Sequence, residues 1–301
     1  MNAVRLRVLR EVARCGTMAA AAEALFLSPS AVSQQIAQLE MEAGVPLTKR
    51  DGRGVRLTPA GLALVSYAER VMEVLDEAKT EMAKYRREIV GELRIAAFPS
   101  IASVLLPNTI KSLKQDFPRL CIVVDEMESL DCLAALRSWR ADMALVDDLP
   151  VMFTDRHEGI DHLPLTEDLL FVLVPEGHEL ARRESVSIAE LRGETWALNT
   201  ASGAFGDFII SLCRLAGYEP HINAACKSFT MVAAMVSSGC SVSVAPGLRL
   251  TQPIQGIRAI RLCPEVRRKT SAAYRSGEKE HPAIRVLLQH LLRNSGDGQP
   301  S

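Results

Sequence analysis

Apolar residues at Val4, Leu6, Val8, Leu9, Val12 and Ala13 fall close to one helical stripe, which Cys15-Gly16 ends. Thr17 is a good N-cap for residues 18–25, an alanine-rich stretch of strong helix formers. Leu27-Ser28-Pro29 breaks that helix and starts a third, because Ser28 can cap and Pro29 suits a first helical position. The third helix is expected to run to about Ala43, where Gly44 closes it. Two glycines between short extended pieces in residues 45–57 predict a β-hairpin. Thr58-Pro59 then opens a helix reaching to about Glu88. Along it Leu64, Ala68, Val71, Leu75, Ala78, Met82 and Tyr85 alternate in steps of four and three, the seven-residue repeat of a coiled-coil seam. A seam between two copies is expected, since a helix bridging two domains has little of its own chain to pack against.

From Gly91 the period changes. Residues 93–97, 121–124 and 143–146 are short apolar runs of strand type, separated by helical segments at 101–117 and 130–140. The alternation continues with strands near 169–174, 196–198, 221–225 and 241–244, helices near 205–216 and 229–238, and a last helix at 282–293. Strand and helix in turn predict an α/β sheet built in two halves of similar plan.

The second and third helices read as a helix-turn-helix. Val32, Ile36 and Leu39 bury one side of the third, at i, i+4 and i+7. That leaves Ser30, Ser33, Gln34, Gln35 and Gln38 for the other side, with Ser28 and Pro29 at its start. Short hydroxyls and amides suit a DNA major groove, where glutamine pairs bidentately with adenine. Lys49, Arg50, Arg53 and Arg56 of the hairpin can add phosphate or minor-groove contacts.

At these residues the chain resembles the LysR-type transcriptional regulators. Ala-Ala-Glu-x-Leu, Ser-Pro-Ser-Ala-Val-Ser-Gln-Gln-Ile, Leu-Glu, Gly44-Val45-Pro46-Leu47 and Leu57-Thr58-Pro59-Ala60-Gly61 match in order and spacing, and the likeness extends over essentially the whole chain. One position departs from the pattern. The family usually has Phe two residues before the wing arginine, and Thr48 stands there, which is expected to soften wing packing. The resemblance implies an α+β multidomain chain. Residues 1–60 would form a winged helix-turn-helix and 61–90 a linker helix for dimerisation. Residues 91–301 would form an effector domain like a type 2 periplasmic binding protein, with subdomain I at 91–163 and 265–301 and subdomain II at 164–264. It further implies double-stranded promoter DNA, a small-molecule effector, a second copy of the chain in a dimer or tetramer, and RNA polymerase as partners, with no membrane and no cofactor.

In open α/β sheets ligands sit beyond the carboxyl ends of strands, at helix N-termini. After the first strand this places Phe98, Ser100, Ile101, Ala102 and Ser103 at a cleft. The same logic nominates Glu128 and Ser129 after the second strand and Asp147 and Asp148 after the third. In the second half it nominates Asn199, Thr200, Ser202, Lys227, Ser228 and Phe229. Three acids with one lysine point to an effector such as an amino acid or a related metabolite.

Composition adds little. The net charge of −1 divides into +2 over residues 1–90 (13 Lys/Arg, 11 Asp/Glu) and −3 over 91–301 (22 and 25), too mild alone to argue for DNA. Seven cysteines at irregular spacings, without a C-x-x-C, read as thiols of a reducing cytoplasm, most of them small core residues, and make a zinc site improbable. No secretion signal is expected at the N-terminus, and no apolar run is long enough to span a membrane. There is no G-x-G-x-x-G, phosphate-loop lysine, G-x-S-x-G or H-E-x-x-H, and the six histidines are scattered, so no catalytic residue and no enzyme activity is expected. A thiol-based redox response through Cys213 and Cys226 is the alternative within regulation. A binding protein or enzyme with a vestigial DNA domain is the alternative outside it.

Overall fold

The computed structural model describes residues 1–51, 54–85, 89–149, 159–199 and 203–295. Arg53, Thr200 and Ser202 lie outside the described residues.

The N-terminal unit is three helices and a hairpin: α1 (Ala3–Cys15), α2 (Met18–Leu25), α3 (Pro29–Ala43), β1 (Thr48–Asp51) and β2 (Gly54–Leu57). Each helix start has a side-chain cap: Asn2, Thr17 and Ser28 accept from Val4, Ala20 and Ala31 backbone N–H groups. Gly16 and Gly44 end α1 and α3 in the left-handed conformation that glycine adopts without a Cβ clash. Leu6, Leu9 and Val12 of α1 meet Ala21 and Ala22 of α2 and Val32, Ile36 and Leu39 of α3 in one core. The hairpin is pinned to it where Val55 N–H donates to Gly16 O at 2.8 Å.

α4 (Pro59–Lys84) leaves this unit, capped by Thr58. Its packing corrects the expectation of a helix with little of its own chain to pack against. Ala68, Met72, Asp76 and Thr80, spaced by four, are buried against the chain itself. Thr80 Oγ1 donates to Gly277 O at 3.0 Å, and Asp76 pairs with Arg275 at 3.6 Å. The heptad stripe splits instead. Leu64 and Ala68 join the N-terminal core, while Val71, Leu75, Met82 and Tyr85 stand exposed beside Tyr67 and Val74.

The remainder is the two-part α/β domain. Its first half holds β3 (Gly91–Ala97), α5 (Pro99–Val104), α6 (Leu106–Asp116), β4 (Leu120–Glu126), α7 (Ser129–Arg137) and β5 (Met143–Asp147). The chain then runs through β6 (Ile160–Pro175), β7 (Ser185–Val186), β8 (Thr195–Asn199), α8 (Gly203–Leu215), β9 (His221–Cys226), α9 (Phe229–Ser237), β10 (Ser243–Pro246) and β11 (Ile257–Leu262). It returns through β12 (Arg267–Arg275) and ends in α10 (Pro282–Ser295).

The main sheet runs β4-β3-β5-β12-β6-β11-β7, with β10 also on β6. β6 belongs to both halves: its N-terminal part pairs with β12 from Ile160 to Leu169, and its C-terminal part pairs with β10 and β11 from Leu170 onward. The expected subdomain limit at 163/164 therefore falls inside β6, upstream of the crossing. The single helix expected at 101–117 is two, α5 and α6, meeting at Leu105. Separate apolar clusters fill the two halves, one around Ile95, Met143 and Leu287 and one around Val172, Trp196 and Ile209. Residues of both halves, with Arg268 of β12, line a cavity between them.

Candidate functional site

The first candidate is the outer face of α3. Helical periodicity puts Ser30, Ser33, Gln34 and Gln38 on the side away from Val32, Ile36 and Leu39, and all four are exposed. Gln35 is half-buried, at the margin of the buried stripe. Ser28 serves the helix as its cap and sits 2.9 Å from the Ser30 hydroxyl. Pro29 is the first helical residue.

In the hairpin Lys49 pairs directly with Arg56, and both are exposed with Arg50. Like charges opposite each other on a sheet repel, and a bound polyanion relieves that repulsion. Thr48, the position departing from the family pattern, donates its N–H and its hydroxyl to Glu40 Oε1 at 2.9 and 3.0 Å, so the wing root is tied to α3 by hydrogen bonds.

The second candidate is a cavity of about 310 Å³ between the two halves. It brings together Phe98, Ser100, Glu128, Ser129, Asp147, Asn199 and Phe229 of the sequence-selected residues. Others do not reach it. Ile101 is buried in the first half's core and Ala102 packs against that core, because α5 turns inward after its first residues. The Ser103 hydroxyl donates back to Pro99 O and Ser100 O. Asp148 accepts from the Lys269 N–H, Ser228 caps α9, and Lys227 stands exposed outside the lining.

Two arginines missed from sequence organise the cleft. Arg268, on β12, is almost fully buried and donates to Asp147 at 3.0 Å, Asp168 at 2.6 and 2.9 Å, and Ser100 Oγ at 2.6 Å. It also lies over the Phe98 ring at 4.9 Å. Asp147 is held further by the Ser129 hydroxyl, and Asp168 accepts the Leu248 N–H from the second half. Ser100, expected to greet a ligand, is thus already bonded to a guanidinium. Arg249 reaches from the second half to Ser103 Oγ at 3.5 Å and lies over Phe229 at 5.5 Å.

Glu128 stands at the N-cap of α7 but makes no side-chain cap. Burial, then the carboxylates of Asp147, Asp131 and Glu126, push its pKa up to about 7. Burial also raises Asp147 against the pull of Arg268. The first-half wall thus carries Glu128, Asp131 and Asp147 beside the one guanidinium of Arg268, and Phe98, Phe205, Phe229 and Val232 give the cavity an apolar body.

The model of the bacterial regulatory helix-turn-helix protein, lysR family, matches residues 4–62, and that of the LysR substrate binding domain matches residues 86–296. The chain belongs to the LysR family. This LysR-type transcriptional regulator is 30% identical over 246 residues to the transcriptional dual regulator GltC of Bacillus subtilis, covering 82% of this chain and 81% of that one. It is 30% identical to a hydrogen peroxide-inducible genes activator of Escherichia coli O6:H1, over 99% and 97% of the two chains. The structure of full-length CbnR with its target DNA superposes with a TM-score of 0.56 at 25% identity, over 98% of this chain and 100% of that one. The winged helix-turn-helix with a two-part α/β domain is the fold of such full-length regulators.

Proposed function

We propose that this regulator binds promoter DNA through α3 and the hairpin, as a dimer or tetramer, and that a small molecule in the cleft alters that binding. The observation that carries the reading is the division of α3 into a buried apolar side and an exposed face of Ser30, Ser33, Gln34 and Gln38, groups that read base edges. The exposed stripe of Val71, Leu75 and Met82 on α4, continued by its C-cap Tyr85, supports a seam with a second copy. RNA polymerase is a further partner, and the cytoplasm is the place of action. No helix among the described residues is long and apolar enough to cross a membrane.

The effector is an amino acid or related amine-bearing metabolite. Glu128, Asp131 and Asp147 on one wall suit an ammonium group, Arg249 on the other suits a carboxylate, and the phenylalanines suit an apolar body. Footprinting on the DNA upstream of its own gene, across amino acids, amines and organic acids, tests both parts. Protection of an inverted repeat that lengthens, shortens or shifts with an amine-bearing compound is the expected result. Protection that no compound alters sinks the effector reading, and no protection at all sinks the DNA reading.

Thiol sensing is the second reading, because one relative is an activator of peroxide-inducible genes. Cys213 and Cys226 are both buried, neither is in a disulfide, and burial raises the pKa of each, the opposite of what a reactive sensor needs. Cys213→Ser and Cys226→Ser are expected to leave the footprint's response to peroxide unchanged from that of the unaltered protein.

A further inference from the structure

One short helix touches both candidate regions. α7 begins at the cleft, where Glu128, Ser129, Leu130 and Asp131 line the cavity. It is nine residues long and ends at Arg137, roughly 12 Å away at the usual helical rise. Its middle is rigidly packed, with Cys132, Leu133, Ala135 and Leu136 buried against β5 and β12 residues, so it moves as a unit rather than bending.

At its far end it meets the DNA-binding domain. Carbonyls at a helix C-terminus carry partial negative charge and attract cations. Here Arg10 of α1 donates to Arg137 O at 2.6 Å and Arg7 to Ser138 O at 3.1 Å. Arg275 of β12 brackets the same turn, donating to Leu136 O and Ala141 O at 2.7 and 2.8 Å.

Trp139 follows in the left-handed region, with φ +65°. Its ring faces three cations: Lys79 of α4 at 3.7 Å, Arg275 at 4.7 Å and Arg7 at 5.1 Å. Arg140 then covers the ring of Phe26 at 3.4 Å. Phe26 is the C-cap of α2, in the helix-turn-helix itself, and has φ +54°. Among the described residues Phe26 and Trp139 are the two non-glycine positions with positive φ, and both lie at this one contact. Such conformations persist only where their surroundings hold them, so a small movement of α7 changes what holds them.

We propose that α7 carries the state of the cleft to the DNA-binding domain. A ligand drawing on Glu128 and Asp131 shifts the helix, re-seats the Trp139 turn against α1 and α2, and so changes the orientation in which α3 meets DNA. This rests on the cleft being the effector site and α3 the reading helix.

The test needs no identified effector. Glu128→Lys places an ammonium group at the cleft end of α7 as a tethered probe, and Trp139→Ala removes the ring at the other end. Operator affinity is measured at one salt concentration for the unaltered protein, each single variant and the double variant. Glu128→Lys is expected to change affinity by about tenfold or more, within the usual range of allosteric coupling. Trp139→Phe, which keeps a ring for the cations, preserves that change; Trp139→Ala reduces it to less than about threefold. Hydrogen exchange at the Arg140 and Ala141 amides, both bonded to Ala135 O, changes in Glu128→Lys alone. Should Trp139→Ala fail to fold, Arg140→Ala takes its place in the cycle.

An undiminished effect of Glu128→Lys in the Trp139→Ala background overturns the α7 route and leaves the effector reading intact. No effect of Glu128→Lys on an operator that the unaltered protein binds also overturns it. Absence of operator binding by the unaltered protein removes the DNA reading, and this proposal with it.

Discussion

The two candidate regions are built in opposite ways. The α3 face comes from consecutive turns of one helix, and the same helix supplies the core side that holds it in place. The cleft draws Phe98, Glu128, Asp147, Asn199, Phe229, Arg249 and Arg268 from strands, loops and helix ends far apart in the chain. A local site can be altered without disturbing its fold, because its functional side chains carry no packing. In the cleft the polar groups that shape the cavity also join the halves of the domain, so chemistry and stability are not separable there.

The largest effect expected from that contrast is at Arg268. Arg268→Met leaves Asp147 and Asp168 buried without their cation, and removing one partner of such a pair costs about 3–5 kcal/mol. Denaturant unfolding of the variant checks this; an unchanged midpoint would falsify the view that the cleft is structural. On α3 the opposite holds. Ser33→Ala and Gln34→Ala should each weaken operator binding by about 1–3 kcal/mol while leaving the unfolding midpoint unmoved. A loss of stability without a loss of affinity would show these side chains to be packing residues.

A smaller effect follows from Glu128. Its pKa is raised to about 7, so folding favours the protonated acid. The stability this contributes is fully present below the ordinary glutamate range and is lost as pH rises through about 7. Glu128→Gln does not titrate and should flatten that part of the stability profile between pH 5 and 8. In the unaltered protein an amine-bearing effector should bind more tightly as pH rises through the same range, since it needs the ionised carboxylate. Equal affinity at pH 6 and pH 8 argues against the contact.

The smallest effect expected is in the wing. Arg56→Ala should lower affinity for all DNA sequences alike and reduce the slope of log affinity against log salt by about one phosphate contact. A change confined to one sequence would make Arg56 a base reader.

How much of this was legible beforehand follows the same division. The caps Thr17, Ser28 and Thr58, the terminating Gly16 and Gly44, and the buried Val32, Ile36 and Leu39 can each be read from neighbouring residues, because they are local hydrogen-bonding and periodicity effects. The cleft was half legible. Strand ends indicated Phe98, Glu128 and Asp147, but Ile101, Ala102 and Ser103 were drawn in by proximity along the chain, although α5 turns them to the core or back on itself. Arg268 stands in the run Arg267-Arg268-Lys269, which reads as a solvated edge; only the pairing of β12 with both β5 and β6 puts it inside.

α4 makes the same point along a single helix. Its heptad was visible, but nothing in the sequence placed Asp76 and Thr80 in contact with β12 and the turn after it. The family, the helix-turn-helix and the polar face of α3 were determined by the sequence alone, since short-range patterns specify them. Which acids share a cavity, which arginines neutralise them and which helix joins the cavity to the DNA-binding domain were decided by tertiary structure. Those contacts span more than a hundred residues, as from Arg7 to Ser138 and from Arg268 to Ser100, and no local pattern encodes a partner so distant.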